Sequence, residues 1–202
     1  MFQQTLQIID FVKQSTRKFD ASHNHEHALA VFQNALDIVE NEADVAEIDI
    51  DLIIQSSLLH DVRDHKYPDS ISFEDLKQFL DSITRSNSAT EKVLTLIDNV
   101  SFSNEDKQRK GLKPLTILDP IFQKRLDVVR DADRLEAIGQ IGIERCIQYA
   151  QAKGLNAKED LVKHFNEKLS RVYTEGFIVT KRGRELAAPK HQYMVDFISQ
   201  YN

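Results

Sequence analysis

Three histidines, His23, His25 and His27, fall within five residues of one another; an adjacent pair, His60-Asp61, follows, and then the triplet Asp131-Ala132-Asp133. Imidazoles and carboxylates together form a borderline-to-hard ligand set, suited to Mn, Fe, Co, Ni, Zn or Mg, with positions left for water and substrate. A metal held in this way polarises a phosphoryl oxygen and lowers the pKa of bound water, so the chemistry on offer is metal-assisted hydrolysis. Each group also has an ordinary use. Side chains two residues apart diverge on a helix and alternate on extended chain, so the clustered histidines supply one ligand to a given ion, not three. His60 and Asp61 could equally cap a helix or bond each other, and the triplet aspartates could be caps at a helix N-terminus.

The elements that carry these residues discriminate among them. From about His25 to Glu42 the apolar face reads Val31, Ala35 and Ile38, and four residues back from Val31 is His27. His27 therefore faces inward and is the best candidate of its cluster, with Ser22 or Asn24 as cap. A helix from about Asp51 to Val62 is apolar enough to be central, and it delivers His60 and Asp61 where the polar stretch Arg63-Asp64-His65-Lys66 begins. Upstream, Phe2, Leu6, Ile9 and Val12 share one face of a first helix ending near Phe19 to Ser22. Phe73 to Ile83, capped by Ser72 with Asp75 three residues on, and Thr90 to Val100 are two more amphipathic helices. Ser101 to Pro120 is polar, with Lys107, Arg109, Lys110, Gly111, Lys113 and Pro114, and reads as a surface loop able to cover a site. After Phe122 to Val129, the triplet starts a helix through Leu135 and Ile138, where Gly139 and Gly142 call for close packing. Leu161, Phe165, Leu169 and Val172 mark another helix. The last, from about Arg182, packs Met194, Phe197 and Tyr201, with Pro189 bending or breaking it.

Six glycines, four prolines and no tryptophan in 202 residues favour helix throughout, and no linker-like stretch divides the chain. One all-α domain over residues 1–202 is expected. Apolar runs fall short of the roughly 20 residues that span a bilayer, and the N-terminus lacks the unbroken apolar region of a secretory signal, so no membrane segment and a cytoplasmic location are expected. The lone Cys146 cannot form an internal disulfide and reads as helix filler. A net charge of −6 opposes binding to long nucleic acid. Small phosphorylated substrates need only a local basic pocket and are compatible with it.

The order His27, then His60-Asp61, then Asp133 resembles the signature of the HD-domain superfamily of metal-dependent phosphohydrolases. The likeness extends to Ser22 through His27 with Val31, to Ser57-Leu58-Leu59 before the pair, to Val100-Ser101-Phe102-Ser103, to Asp131 through Gly139, and to His164 through Leu169. Together these are similar to a small, single-domain bacterial branch, some of whose members are described as nucleotide pyrophosphohydrolases. Two departures stand out. Asn24-His25 replaces the usual Asp-Trp pair, and Ala30 replaces an arginine, so substrate contacts near the second helix differ.

The resemblance implies an HD-domain helical bundle with a metal-binding core over about 22–140 and C-terminal helices over 158–201 packed on it. A divalent ion (Mn, Mg, Ni, Co, Fe or Zn) would be held by His27, His60, Asp61 and Asp133, with Asp131 as the fallback for the last. Asp61 and Asp64 are the implied catalytic carboxylates, Asp64 in proton transfer. Arg63, Lys66, Arg134 and Lys168 are the cations available to a phosphate-bearing substrate; His164 and His191 read as ordinary. The implied reaction is cleavage of a nucleoside triphosphate to monophosphate plus pyrophosphate. A nucleoside 5′-monophosphate phosphatase and a non-catalytic nucleotide-sensing module are the alternatives, together with a two-iron oxidising centre that would need His23 or His65. A homodimer is compatible with a domain of this kind.

Overall fold

Leu52, Ile53, Ile54, Leu58 and Leu59 leave helix α3 (Ile50–Leu59) no solvent face beyond its first two residues, and the five are at most 7% exposed. Even Gln55, Ser56 and Ser57 are buried there. Each such aliphatic side chain contributes roughly 1.5–3 kcal/mol on burial, so α3 becomes the axis about which the other helices arrange. In this computed structural model, which describes residues 2–20, 23–42, 49–84, 86–152 and 154–200, α3 packs against α1 (Phe2–Ser15), α2 (His25–Asn41), α5 (Asn87–Val100) and α7 (Pro120–Ala137). Helix α4 (Phe73–Thr84) covers α5, and α6 (Phe102–Arg109) follows at once. A C-terminal group, α8 (Gln140–Ala152), α9 (Ala157–His164), the π-helical turn Phe165–Leu169, α10 (Ser170–Thr174) and α11 (Lys181–Ser199), packs on α7 and α2. The all-α bundle expected from sequence is found, with no strand among the described residues. No helix among them is long and apolar enough to cross a membrane.

Caps fix where the functional helices begin. The Asn24 side chain accepts hydrogen bonds from the amides of Glu26 and His27, setting the first turn of α2. Asp119 does the same for Ile121 and Phe122 at the start of α7, where Pro120 occupies a position that needs no N–H. The Ser72–Asp75 capping pair of α4 forms as its sequence implies. Ser22 and Tyr201, also assigned roles on sequence grounds, lie outside the described residues.

Several boundaries differ from the sequence expectation, each for a physical reason. Helix α1 buries Ile8 and Val12, while Phe2 and Leu6 are exposed, so its inward face is rotated from the one read off periodicity. Part of the expected 101–120 loop is α6, whose buried residue is a carboxylate, Glu105. The Asp131–Asp133 triplet does not start a helix; it lies well inside the continuous α7. Gly139 takes φ +80° and makes the break between α7 and α8, where an added Cβ would meet Lys190. Pro189 does not interrupt α11.

Candidate metal centre

Two buried imidazoles meet where α2 begins and α3 ends. His27 stands in the first turn of α2, and His60 is the residue on which α3 closes. The ring Nδ1 of His60 lies 2.9 Å from the Ser57 carbonyl, which can only accept, so Nδ1 carries a proton whatever the charge on the ring, and Nε2 is the nitrogen available to a metal once its own proton is lost. That Nε2, with both ring nitrogens of His27, is buried without a hydrogen-bond partner. Orphaned buried nitrogens of this kind are costly unless something absent from the polypeptide satisfies them.

Two carboxylates face the same point. Asp61 Oδ2 is 3.4 Å from His27 Nε2 and 3.2 Å from His60 Nε2; Asp133 Oδ1 is 3.5 Å and 3.6 Å from the same atoms. Donors each about 2.1 Å from one ion at tetrahedral angles stand about 3.4 Å apart, so these spacings fit a first-row divalent metal. The electrostatics agree. Burial pulls the His27 and His60 pKa values down, but the Asp61 and Asp133 carboxylates outweigh it and hold both above the usual imidazole range. Asp61 and Asp133 resist burial in the same way, held well below the usual carboxylate range by the two imidazoles. Four groups charged as two opposite pairs hold a place that a cation can take over.

The second triplet aspartate thus joins the cluster and the first does not. Asp131, fully buried, turns to the other side of α7 and accepts hydrogen bonds from the amides of Val179 and Thr180. Its carboxyl is pushed up to about 7 by burial, against the pull of Thr180. Gly183 passes so close that an added Cβ would lie 2.8 Å from Asp131 Oδ2. Asp131 is therefore an anchor for the start of α11.

The expected cations divide likewise. Arg134 is buried away from the cluster, bonded to Glu105 and to the Phe177 carbonyl. Glu105 also pairs with Arg109 and Arg130, and the Arg109 and Arg134 guanidinium groups lie over the Phe177 ring. Arg63 pairs with Asp98 at 2.7 Å and lies over Phe73. Arg134 is thus engaged inside the fold, and Arg63 is held toward Asp98 in a partly exposed ion pair. Lys66 and Lys168 are different. Lys66 Nζ sits 3.1 Å from Asp64 Oδ2, beside the cluster. Lys168, presented by the π-helical turn, makes no hydrogen bond or ion pair among the described residues; its ammonium lies over Phe102. Burial lowers its pKa, with Lys66 adding to the effect and Asp133 opposing it. Such turns inside helices recur at functional sites because the extra residue redirects a side chain.

Asp64 is almost fully shielded although α3 has ended before it; a turn closed by Asp64 N–H to the Asp61 carbonyl brings it back. The residue underrated in the sequence is His23, which lies 3.4 Å from Asp64 Oδ2, four residues before His27 and on the same side. Burial lowers its pKa, partly offset by Asp61 and Asp64. His65 points to solvent, and His191 stacks on Tyr173.

No protein-family model matches the chain. The chain is 30% identical over 202 residues to the uncharacterized protein YpgQ of Bacillus subtilis (strain 168), covering 98% of this chain and 91% of that protein. The crystal structure of Bacillus subtilis YpgQ in complex with ADP superposes with a TM-score of 0.75 at 27% identity, over 98% of this chain and 93% of that one. An HD-superfamily hydrolase from Bacillus thuringiensis superposes with a TM-score of 0.73 at 26% identity, covering 98% of this chain and 95% of that one.

Proposed function

Because this chain belongs to the family of Bacillus subtilis YpgQ and has the HD-domain helical bundle, we propose that it is a metal-dependent phosphohydrolase acting on nucleotides, with His27, His60, Asp61 and Asp133 as its metal ligands. The observation that carries this reading is the four imidazole-to-carboxylate separations of 3.2–3.6 Å across the cluster, with the imidazole Nε2 atoms unpartnered and buried. A divalent ion bound there supplies Lewis acidity toward a phosphoryl oxygen and a water whose pKa falls toward neutrality.

The protein's own groups do the rest. Asp61 and Asp133 orient the two imidazoles and supply the negative charge that favours a divalent ion. Asp64, one turn from Asp61, is the group suited to move a proton to or from the attacking water or leaving oxygen. Lys66 and Lys168 flank the cluster and are the cations left to meet the non-bridging phosphate oxygens, where charge spreads during transfer. Arg134, buried against Glu105, has a structural role instead, and Arg63 is paired with Asp98.

The nucleotide assignment rests on the ADP bound to the YpgQ relative, and triphosphate cleavage to monophosphate plus pyrophosphate is the preferred reaction, with a nucleoside 5′-monophosphate phosphatase as second reading. Metal-stripped protein should be given Mn, Co, Ni, Mg or Zn with ribo- and deoxyribonucleoside mono- and triphosphates, resolving phosphate from pyrophosphate, beside Asp61→Ala. Metal-dependent pyrophosphate release, lost in the variant, is the expected result. Phosphate from monophosphates would keep the site and move the reaction; no turnover with any metal would overturn the assignment.

A further inference from the structure

The loop that leaves α6 has its polar and apolar side chains reversed. Gln108 Nε2 donates to the Pro114 carbonyl at 3.0 Å and to Thr116 Oγ1 at 3.1 Å, and Lys113 Nζ donates to Asn104 Oδ1 at 3.1 Å, so polar groups tie the loop to α6. The Leu112 amide donates to the Lys107 carbonyl at 2.8 Å, a helix-ending turn that Gly111 permits with φ +69°. The aliphatic side chains of this fastened loop face water. Leu112, Leu115 and Ile117 are 74%, 70% and 92% exposed, and Ile121 at the start of α7 is exposed as well, while Leu118 turns in and packs against the core. Single exposed aliphatics are ordinary on a protein surface, but a group of four over ten residues marks a surface built to be covered.

Cations surround the group. Residues 107–125 hold six basic residues and one acidic residue, Asp119, in a chain whose net charge is −6. Arg109 is taken up by Glu105 and by the carbonyls of Glu175 and Gly176. Lys107, Lys110, Lys113 and Lys124 are exposed. The segment is therefore positive on a protein that is otherwise negative.

Charge and shape select what covers it. A second copy meeting the loop through the same patch would set lysines against lysines, and a loop tip with three aliphatic side chains falls short of the roughly 800 Å² per partner of a specific protein interface. Nucleic acid would take the lysines and leave the aliphatic side chains in water, and residues 107–121 include no aromatic residue to stack on a base. A bilayer interface with anionic headgroups satisfies both components, because lysines stay at the phosphate level while aliphatic groups enter the acyl boundary, with no shape complementarity required.

We propose that residues 107–124 dock this protein on the surface of a bilayer bearing anionic headgroups, with Leu112, Leu115 and Ile117 entering the interface and Lys107, Lys110 and Lys113 meeting the headgroup phosphates. The contact lies on the bilayer and spans nothing. It does not depend on the metal centre or on the phosphohydrolase reading.

Flotation of the full-length protein with vesicles of equal parts phosphatidylglycerol and phosphatidylcholine, beside vesicles of phosphatidylcholine alone, tests this. The protein is expected to float with the anionic vesicles, to stay behind with the zwitterionic ones, and to be released by about 0.5 M salt. Lys107→Gln, Lys110→Gln and Lys113→Gln should each weaken binding about fivefold. Leu115→Gln combined with Ile117→Gln should weaken it about tenfold or more, with circular dichroism unchanged because both side chains already face water. No flotation with the anionic vesicles, equal flotation with the zwitterionic ones, or undiminished flotation of the aliphatic double variant would each overturn the proposal. A dimer in sedimentation velocity that this double variant abolishes, in place of vesicle binding, would give the loop to a second copy and overturn it too.

Discussion

On one side of α7, Asp133 enters a cluster in which His60 Nε2 and both His27 ring nitrogens are buried without hydrogen-bond partners; on the other side, two residues away, Asp131 is met by backbone amides. Both aspartates are acidic, both belong to one short triplet, and successive side chains on a helix differ by about 100°, so two residues apart they face nearly opposite ways. The Asp131 side joins with Arg134, Glu105 and Phe177 to bind α6 and the segment before α11 to α7. There both terminal guanidinium nitrogens of Arg134 have acceptors, and the Asp131 carboxyl has two amide donors. On the Asp133 side the unpartnered atoms, the two imidazole Nε2 atoms, converge with carboxylates on one point, and that convergence separates a site from a scaffold.

Substitutions should split along the same line. Asp133→Ala is expected to lower metal-dependent turnover by about a thousandfold or more while the bundle keeps its fold, checked by kinetics beside circular dichroism. Glu105→Ala leaves the buried Arg134 guanidinium without its carboxylate and should cost about 3–5 kcal/mol in urea unfolding, with the metal-bound site otherwise intact. If Glu105→Ala lost metal with stability unchanged, the division between the two faces would fail.

Acidity sharpens the contrast at the cluster alone. His27 and His60 have raised pKa values, so in the metal-free protein their charged pairing with Asp61 and Asp133 contributes stability that is complete below about 6.5 and is lost as pH rises through the raised values. Metal requires the neutral imidazoles and competes with those protons. Metal affinity should therefore climb over the same window in which the metal-free protein weakens, a pairing of opposite slopes measurable by titration calorimetry and thermal melts across pH. Parallel slopes would contradict the ligand assignment of the two histidines.

Much of this was legible in the sequence. His27, Val31, Ala35 and Ile38 fall on one buried face of α2, as their spacing implies, and α3 is as central as its unbroken apolar character suggests. Apolar periodicity fails where burial is polar. Helix α6 has almost no apolar face and is held by Glu105 among three arginines, so its sequence reads as loop. The roles of Arg134 and Asp131 depend on the Phe177–Thr180 segment more than 40 residues away in the chain, a pairing that no local pattern encodes. His23 carried a readable signal, since it precedes His27 by four residues, but its neighbours Tyr67 and Asp64, more than 40 residues on, are brought to it only by the fold.

The most direct measurement is the anomalous-scattering map of a crystal of the Mn-loaded protein collected at the Mn edge. The account predicts a peak within about 2.0–2.3 Å of His27 Nε2, His60 Nε2, Asp61 Oδ2 and Asp133 Oδ1. A peak on Asp131, or none between the two imidazoles, would contradict it.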